Sequence, residues 1–389
     1  MNFDFDYLIA RDNSSCMKYA ARLVTFGCAD VQPLWVADMD FAAPPAVQLA
    51  LADRAAHPIY GYTIYPDALY GTLMNWLALR HGWLVQREWL IFCPGVVPSL
   101  HAAIMALSHT GDGVIVQPPV YGPFLNAAEI TGRKTMLNPL LLKDGAYRFD
   151  LEDLERCAAA GARLLLLCSP HNPVGRVWQV EELQAVLAIC QRYAITVVSD
   201  EIHADLVYAG HRHVPLATLA GDSVKVITAI APSKTFNIPG LGLSMLIVPE
   251  HADRVAITRV FDLLHVSASN PFSIAASVAA YREGGPWLDA LLVYLADTYD
   301  MVRDYAAHHL PGIRVGVAQG TYLLWLDCRA LRLDDAELKR FFVQQAGVGM
   351  SPGTAFGVPG SGYMRMNIAA PRVLILQALD KIAVALRAR

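Results

Sequence analysis

Short apolar runs alternate with longer stretches of helical period through the middle of the chain. Each run ends in a loop crowded with proline, glycine and polar groups. Residues 114–117, 162–167, 195–199 and 224–230 are rich in valine, isoleucine and leucine and read as strands. Between them lie stretches such as 181–190, with helical period and two glutamates in the first turn. Strand and helix in alternation predict a mostly parallel sheet covered by helices on both faces. Strands apolar at every position are what such a doubly covered sheet requires. The pattern changes in the last third. A long helical stretch, 287–309, leads into short runs at 315–317 and 321–326, and an amphipathic stretch, 373–386, follows. The predicted class is α/β. A large domain spans 46–284 and carries a mostly parallel sheet of the seven-stranded type. A smaller α+β domain spans 285–389, joined by an N-terminal arm, 1–45.

Composition narrows the choices. Of 389 residues, 54% are hydrophobic and 17% charged, which suits a well-buried globular chain and argues against disorder. Mean hydropathy is high, at +0.33. Yet the longest apolar runs, such as Leu164-Leu165-Leu166-Leu167-Cys168, fall far short of the ~20 residues a spanning helix needs. The surplus suits buried parallel strands and an apolar subunit interface. A net charge of −4 offers no basic stripe, so neither nucleic acid nor a membrane is expected as a partner. The acidic start, Asn2-Phe3-Asp4-Phe5-Asp6, lacks the order of a signal peptide. Seven scattered cysteines without a C-x-x-C pair suit reduced thiols and a cytoplasmic location. Neither a disulfide nor a metal site is expected.

The loops after the strands carry the candidate chemistry, because ligands of open α/β sheets gather at the C-terminal ends of strands. Cys93-Pro94-Gly95-Val96-Val97-Pro98 opens a helical stretch whose first amides could approach a phosphate, or it is a plain helix-starting turn. In Gln117-Pro118-Pro119-Val120-Tyr121-Gly122-Pro123, prolines hold Tyr121 where it could stack on a flat ring or simply pack. In Ser169-Pro170-His171-Asn172-Pro173, Asn172 offers a donor and an acceptor to a ligand oxygen, though asparagine before proline also makes turns. Asp200 ends a β-branched run, where burial without a cationic partner is costly, and capping the next segment is its alternative role. His203 lies one turn on if that segment is helical. Lys234 follows the strand at 224–230 in a Pro- and Gly-punctuated loop. A partly desolvated lysine there can attack a carbonyl; a solvated loop lysine cannot. Taken in order, Gly95, Tyr121, Asn172, Asp200 and Lys234 suit one ligand. It has a phosphate, a flat ring, a ring oxygen, a basic ring nitrogen and an aldehyde, and is pyridoxal 5'-phosphate (PLP).

With these motifs the chain resembles a fold-type-I PLP-dependent enzyme of the class I/II aminotransferase superfamily. More narrowly, it resembles the cystathionine β-lyase / cysteine C–S lyase branch. Leu34-Trp35-Val36-Ala37-Asp38-Met39-Asp40-Phe41, Gly61-Tyr62-Thr63 and Pro94-Gly95-Val96-Val97-Pro98 carry the likeness in the N-terminal half. Pro170-His171-Asn172-Pro173-Val174-Gly175-Arg176, Ser199-Asp200-Glu201-Ile202-His203, Ser233-Lys234-Thr235-Phe236-Asn237 and Tyr363-Met364-Arg365-Met366-Asn367 carry the rest. The resemblance implies that Lys234 binds the cofactor covalently and then serves as base, while Asp200 pairs with the ring nitrogen. It gives the ring oxygen to Asn172, with His203 beside it, and ring stacking to Tyr121. Val96, Val97 and Ser233 would meet the phosphate. Tyr62 would reach the phosphate of a neighbouring subunit's cofactor, making a homodimer. Arg365, which by itself reads as a surface arginine, would clamp the substrate carboxylate, with Ala37 lining the same pocket.

Many relatives in the superfamily carry a phosphate-binding arginine in an Arg-x-Gly arrangement soon after the lysine. Here the stretch is Gly240-Leu241-Gly242-Leu243, without a cation. That departure favours the lyase branch. The implied activity is α,β-elimination of cystathionine- or cysteine-type amino acids to pyruvate, ammonia and a thiol. An aminotransferase using the same residues is the alternative, and a catalytically silent binding protein the more distant one.

Overall fold

The apolar runs fold where their pattern places them. The structure is a computed structural model and describes residues 3–389. Strands β1 (Leu90–Cys93), β2 (Gly113–Val116), β3 (Lys134–Leu137), β4 (Ala162–Cys168), β5 (Thr196–Asp200), β6 (Val226–Ile230) and β7 (Ser244–Ile247) form one sheet. Their order is β1-β7-β6-β5-β4-β2-β3. β7 runs antiparallel to both neighbours and the other ladders are parallel. The sequence pattern marks β2, β4, β5 and β6. It does not mark β1, β3 or β7.

Alternation sorts each strand between two cores. Val114, Val116, Leu164, Leu166, Val198 and Ile227 pack with the helices Val96–Leu107, Gly122–Ile130 and His251–Leu263. Ile115, Leu165, Leu167, Val197 and Val226 pack on the other side with Leu151–Ala159 and Val180–Arg192. Covered on both faces, the central strands are apolar on both sides, while the edge strand β3 is half-exposed; each buried leucine or valine contributes about 1.5–3 kcal/mol.

A second sheet lies in the C-terminal third. Strands β8 (Arg314–Val315), β9 (Leu323–Asp327), β10 (Ser351–Pro352) and β11 (Tyr363–Asn367) run antiparallel in the order β8-β9-β11-β10. The long helix Gly285–His309 and the helix Arg372–Arg387 match the two predicted helical stretches. Their buried faces share one core with the N-terminal arm and the helices Asp67–His81 and Pro271–Glu283. No helix among the described residues is long and apolar enough to cross a membrane.

β1, β2, β4, β5 and β6 all point the same way, so the five loops that follow them open on one edge of the sheet. That edge faces β11, and a cavity lies between.

Candidate active site

The cavity has a volume of about 480 Å³, within the range of small-molecule sites. Gly95, Val96, Val97, Tyr121, Asn172, Asp200, His203, Ser233, Lys234, Arg365 and Ala37 all line it. Tyr62 does not. It stands fully exposed between the exposed side chains of Tyr60 and Ile64.

Each loop delivers its group for a local reason. Gly95 has φ +144°, a conformation that favours glycine, and caps the helix Val96–Leu107. The first-turn amides of Val96 and Val97 therefore have no acceptor within the helix and are free for an anion. Lys234 sits on the short helical turn Pro232–Thr235 where the sequence suggested a loop. Its Nζ donates to the Ala37 carbonyl oxygen at 2.6 Å. The segment at 200–206 is a series of turns and not a helix, so His203 reaches the pocket through turn geometry. Asp200 does cap it, accepting from the Ile202 amide at 3.1 Å.

The electrostatics of the pocket are unbalanced. Arg365 is 5% exposed. Its guanidinium donates to Asn172 Oδ1 at 3.2 Å, the Trp35 carbonyl oxygen at 2.7 Å and Ser351 Oγ at 3.3 Å. None of these is a carboxylate, and Arg365 Nε has no hydrogen-bond partner among the described residues. A buried, unneutralised guanidinium is costly unless an anion arrives. Burial lowers its pKa to about 10. Asp200 is the mirror case: it is 4% exposed and, among the described residues, forms no ion pair. Burial pushes its carboxyl up to about 7. Lys234 lies between these influences. Burial and then the charge of Arg365 hold its amine down at about 8, against the opposing pull of Asp38 and Asp200. Burial, Lys234 and Arg365 bring His203 down to about 3, so its ring is neutral, and its Nδ1 is unpartnered.

A group with an anionic end, a basic ring nitrogen and a carbonyl fits these donors. The ring nitrogen would answer Asp200, the carbonyl Lys234 and the phosphate the helix start at Gly95. PLP is such a group. The lining holds no cation besides Lys234 and Arg365, so amides, hydroxyls and the helix dipole would carry the phosphate.

Several residues were not singled out from sequence. Tyr322, 1% exposed, donates to the same Ala37 carbonyl as Lys234, at 3.0 Å. Within its apolar run it looks like any core aromatic. Ser351 and Cys168 also line the cavity. Asn237 and Asn367 lie inside recognised motifs, yet their work is structural. Asn237 accepts from the Met39 amide at 2.9 Å and donates to the Phe41 carbonyl at 2.7 Å. Asn367 donates to the Val36 and Asp38 carbonyls at 2.6 and 2.7 Å. They pin the segment that carries Ala37. Arg11 and the fully buried Lys18 grip it from the other side through Asp38 and Asp40.

A family model for class I and II aminotransferases matches residues 30–382. The chain is 40% identical to cystathionine beta-lyase PatB of Bacillus subtilis over 385 residues, 98% of this chain and all of that one. It is 32% identical to the protein MalY of Escherichia coli, over 99% of each. The crystal structure of cystalysin from Treponema denticola, which contains a pyridoxal 5'-phosphate cofactor, superposes with a TM-score of 0.96 at 35% identity, covering both chains completely.

Proposed function

The chain belongs to the class I and II aminotransferase family, and from that we propose a PLP-dependent carbon–sulfur β-lyase acting on cystathionine- or cysteine-type amino acids. The unneutralised Arg365, facing an equally unpaired Asp200 across one pocket, carries this reading: the site is built for a zwitterionic substrate beside a basic ring. The cystathionine beta-lyase name of PatB supports the lyase branch, and the structural match to cystalysin supports the cofactor.

When bound, PLP supplies a carbonyl that links to amino groups and a ring that accepts the electrons released at Cα. Arg365 binds the α-carboxylate, where a forked guanidinium fits best. Asp200 would sit beside the ring nitrogen, where its carboxylate would hold a proton on that nitrogen. Asn172 holds the ring oxygen, with His203 nearby, and Tyr121 covers the ring face. Lys234 holds the cofactor first. Once displaced by substrate, its amine takes the proton from Cα, and its lowered pKa makes the neutral form available near pH 8. The Cβ–S bond then breaks and the thiol leaves; water converts the remainder to pyruvate and ammonium. Exposed Ile59, Tyr60, Tyr62 and Ile64 suit a homodimer in which Tyr62 reaches the neighbouring subunit's phosphate. The composition suits a cytoplasmic setting.

The product assay tests the reading. With cystathionine or an S-alkyl cysteine and no 2-oxoacid, pyruvate and a free thiol are expected. Turnover only with a 2-oxoacid acceptor would make the protein an aminotransferase, and no turnover either way would make it a binding protein. Arg365→Ala is expected to raise KM by roughly 10- to 100-fold through loss of a charge-assisted pair. An unchanged KM would remove Arg365 from the substrate.

A further inference from the structure

Behind the pocket lies a second cluster of titratable side chains that no step above uses. Asp205 accepts hydrogen bonds from Trp76 Nε1 at 3.0 Å, His81 Nε2 at 2.8 Å and Thr235 Oγ1 at 2.9 Å. Burial alone would raise its pKa, but these donors, His81 foremost, hold it below the usual carboxylate range, so it stays ionised. Glu201 forms a parallel arrangement. It accepts from His213 Nε2 at 2.8 Å, Ser199 Oγ at 2.8 Å and the Leu216 amide at 3.0 Å. The rings of His81 and His213 meet edge to face at 5.7 Å. A cavity of about 20 Å³ between the two pairs has room for roughly one water. Among the described residues no group of three or more His, Cys, Asp or Glu is placed to hold a metal ion.

Its position in the chain gives it a role. Thr235 is bonded to Lys234 and closes the helical turn Pro232–Thr235. Glu201 is bonded to Asp200. The two pairs therefore join the residue after the lysine to the residue after the aspartate. Loops move more readily than the elements they connect, and a buried hydrogen-bond network is how a loop-borne group is held in register. Thr235 is 1% exposed, where valine would pack as well. What its hydroxyl adds is the bond to Asp205.

We infer that Asp205 and Thr235 are a positioning pair that fixes the orientation of Lys234, and through it that of the bound cofactor. The inference rests on reading Lys234 as the lysine that holds PLP. Neither residue touches the pocket, so the pair acts only through its neighbours.

The test compares Thr235→Val, Thr235→Ser and Asp205→Asn as loaded enzymes with the wild type. Thr235→Val keeps shape and burial and leaves Asp205 two donors, so it is the variant most certain to fold. It is expected to take up cofactor but to show weaker visible circular dichroism per cofactor bound. Its kcat is expected to fall roughly 10- to 100-fold with KM within about twofold, the pattern of misplaced reacting groups. Thr235→Ser restores both readings, and Asp205→Asn resembles Thr235→Val. Wild-type dichroism and kcat in Thr235→Val would overturn the inference, even with a lower melting temperature, because the pair would then be structural only. A wild-type enzyme with no visible band would instead overturn the reading of Lys234, and the pair with it.

Discussion

Lys234→Ala is expected to lower kcat for S-substituted cysteines by at least about 10⁴-fold, since one amine serves as both covalent anchor and base. The visible absorbance of covalently held cofactor should vanish with it. The wild-type enzyme should carry the pH signature of this lysine, and Lys234→Ala should lack it. Burial and Arg365 hold the amine near 8, below its ordinary value. The neutral form that takes the Cα proton is therefore lost as pH falls through that value, and kcat should decline on the acid side. Steady-state rates with pyruvate detection measure both effects. A variant that keeps a tenth of wild-type turnover would exclude Lys234 as the base.

Asp200→Asn is expected to lower kcat on the order of 10³-fold, with a smaller change in KM, by removing the charge that stabilises the protonated ring nitrogen. The same carboxyl predicts a stability signature in cofactor-free protein. Its folded pKa is raised from 3.8 to about 7 by burial. Between those two values the folded state holds a proton that the unfolded state has released, so the contribution of Asp200 is fully present below pH 3.8 and shrinks above it. That contribution is lost as pH rises through about 7. Asparagine has no such dependence. The melting temperature of cofactor-free wild type should therefore fall relative to Asp200→Asn between about pH 4 and pH 7. Parallel melting curves would show that Asp200 is not buried in its neutral form.

The sheet was legible because its strands are apolar on both faces, a pattern that only a doubly covered sheet requires. The candidate loops were legible for a related reason: proline, glycine and polar groups stand out at the ends of such runs. Gly95, Tyr121, Asn172, Asp200 and Lys234 all follow strands and all line one cavity. Local pattern failed where function depends on distant pairing. Arg365 is buried because β11 pairs with β9 and faces the Asn172 loop, and nothing in Tyr-Met-Arg-Met-Asn announces that; only the family resemblance pointed to it. Tyr322 was hidden inside an apolar run for the same reason. His81 and Asp205 lie 124 residues apart in the chain and meet only in the fold. A helix after Asp200 would put His203 one turn on, but the segment folds as turns, and these bring His203 to the pocket instead. The lysine turn was short enough, at four residues, to pass for loop. Tyr62 lies away from its own chain's cavity, and its proposed partner is the site of a second subunit.

Borohydride reduction of the loaded enzyme, followed by digestion and mass spectrometry, locates the lysine that carries the cofactor. The cofactor mass is predicted on the peptide containing Lys234, with none recovered from Lys234→Ala. Label on Lys225 or on any other lysine, or a protein that acquires no label, would contradict the assignment of this pocket as the cofactor site.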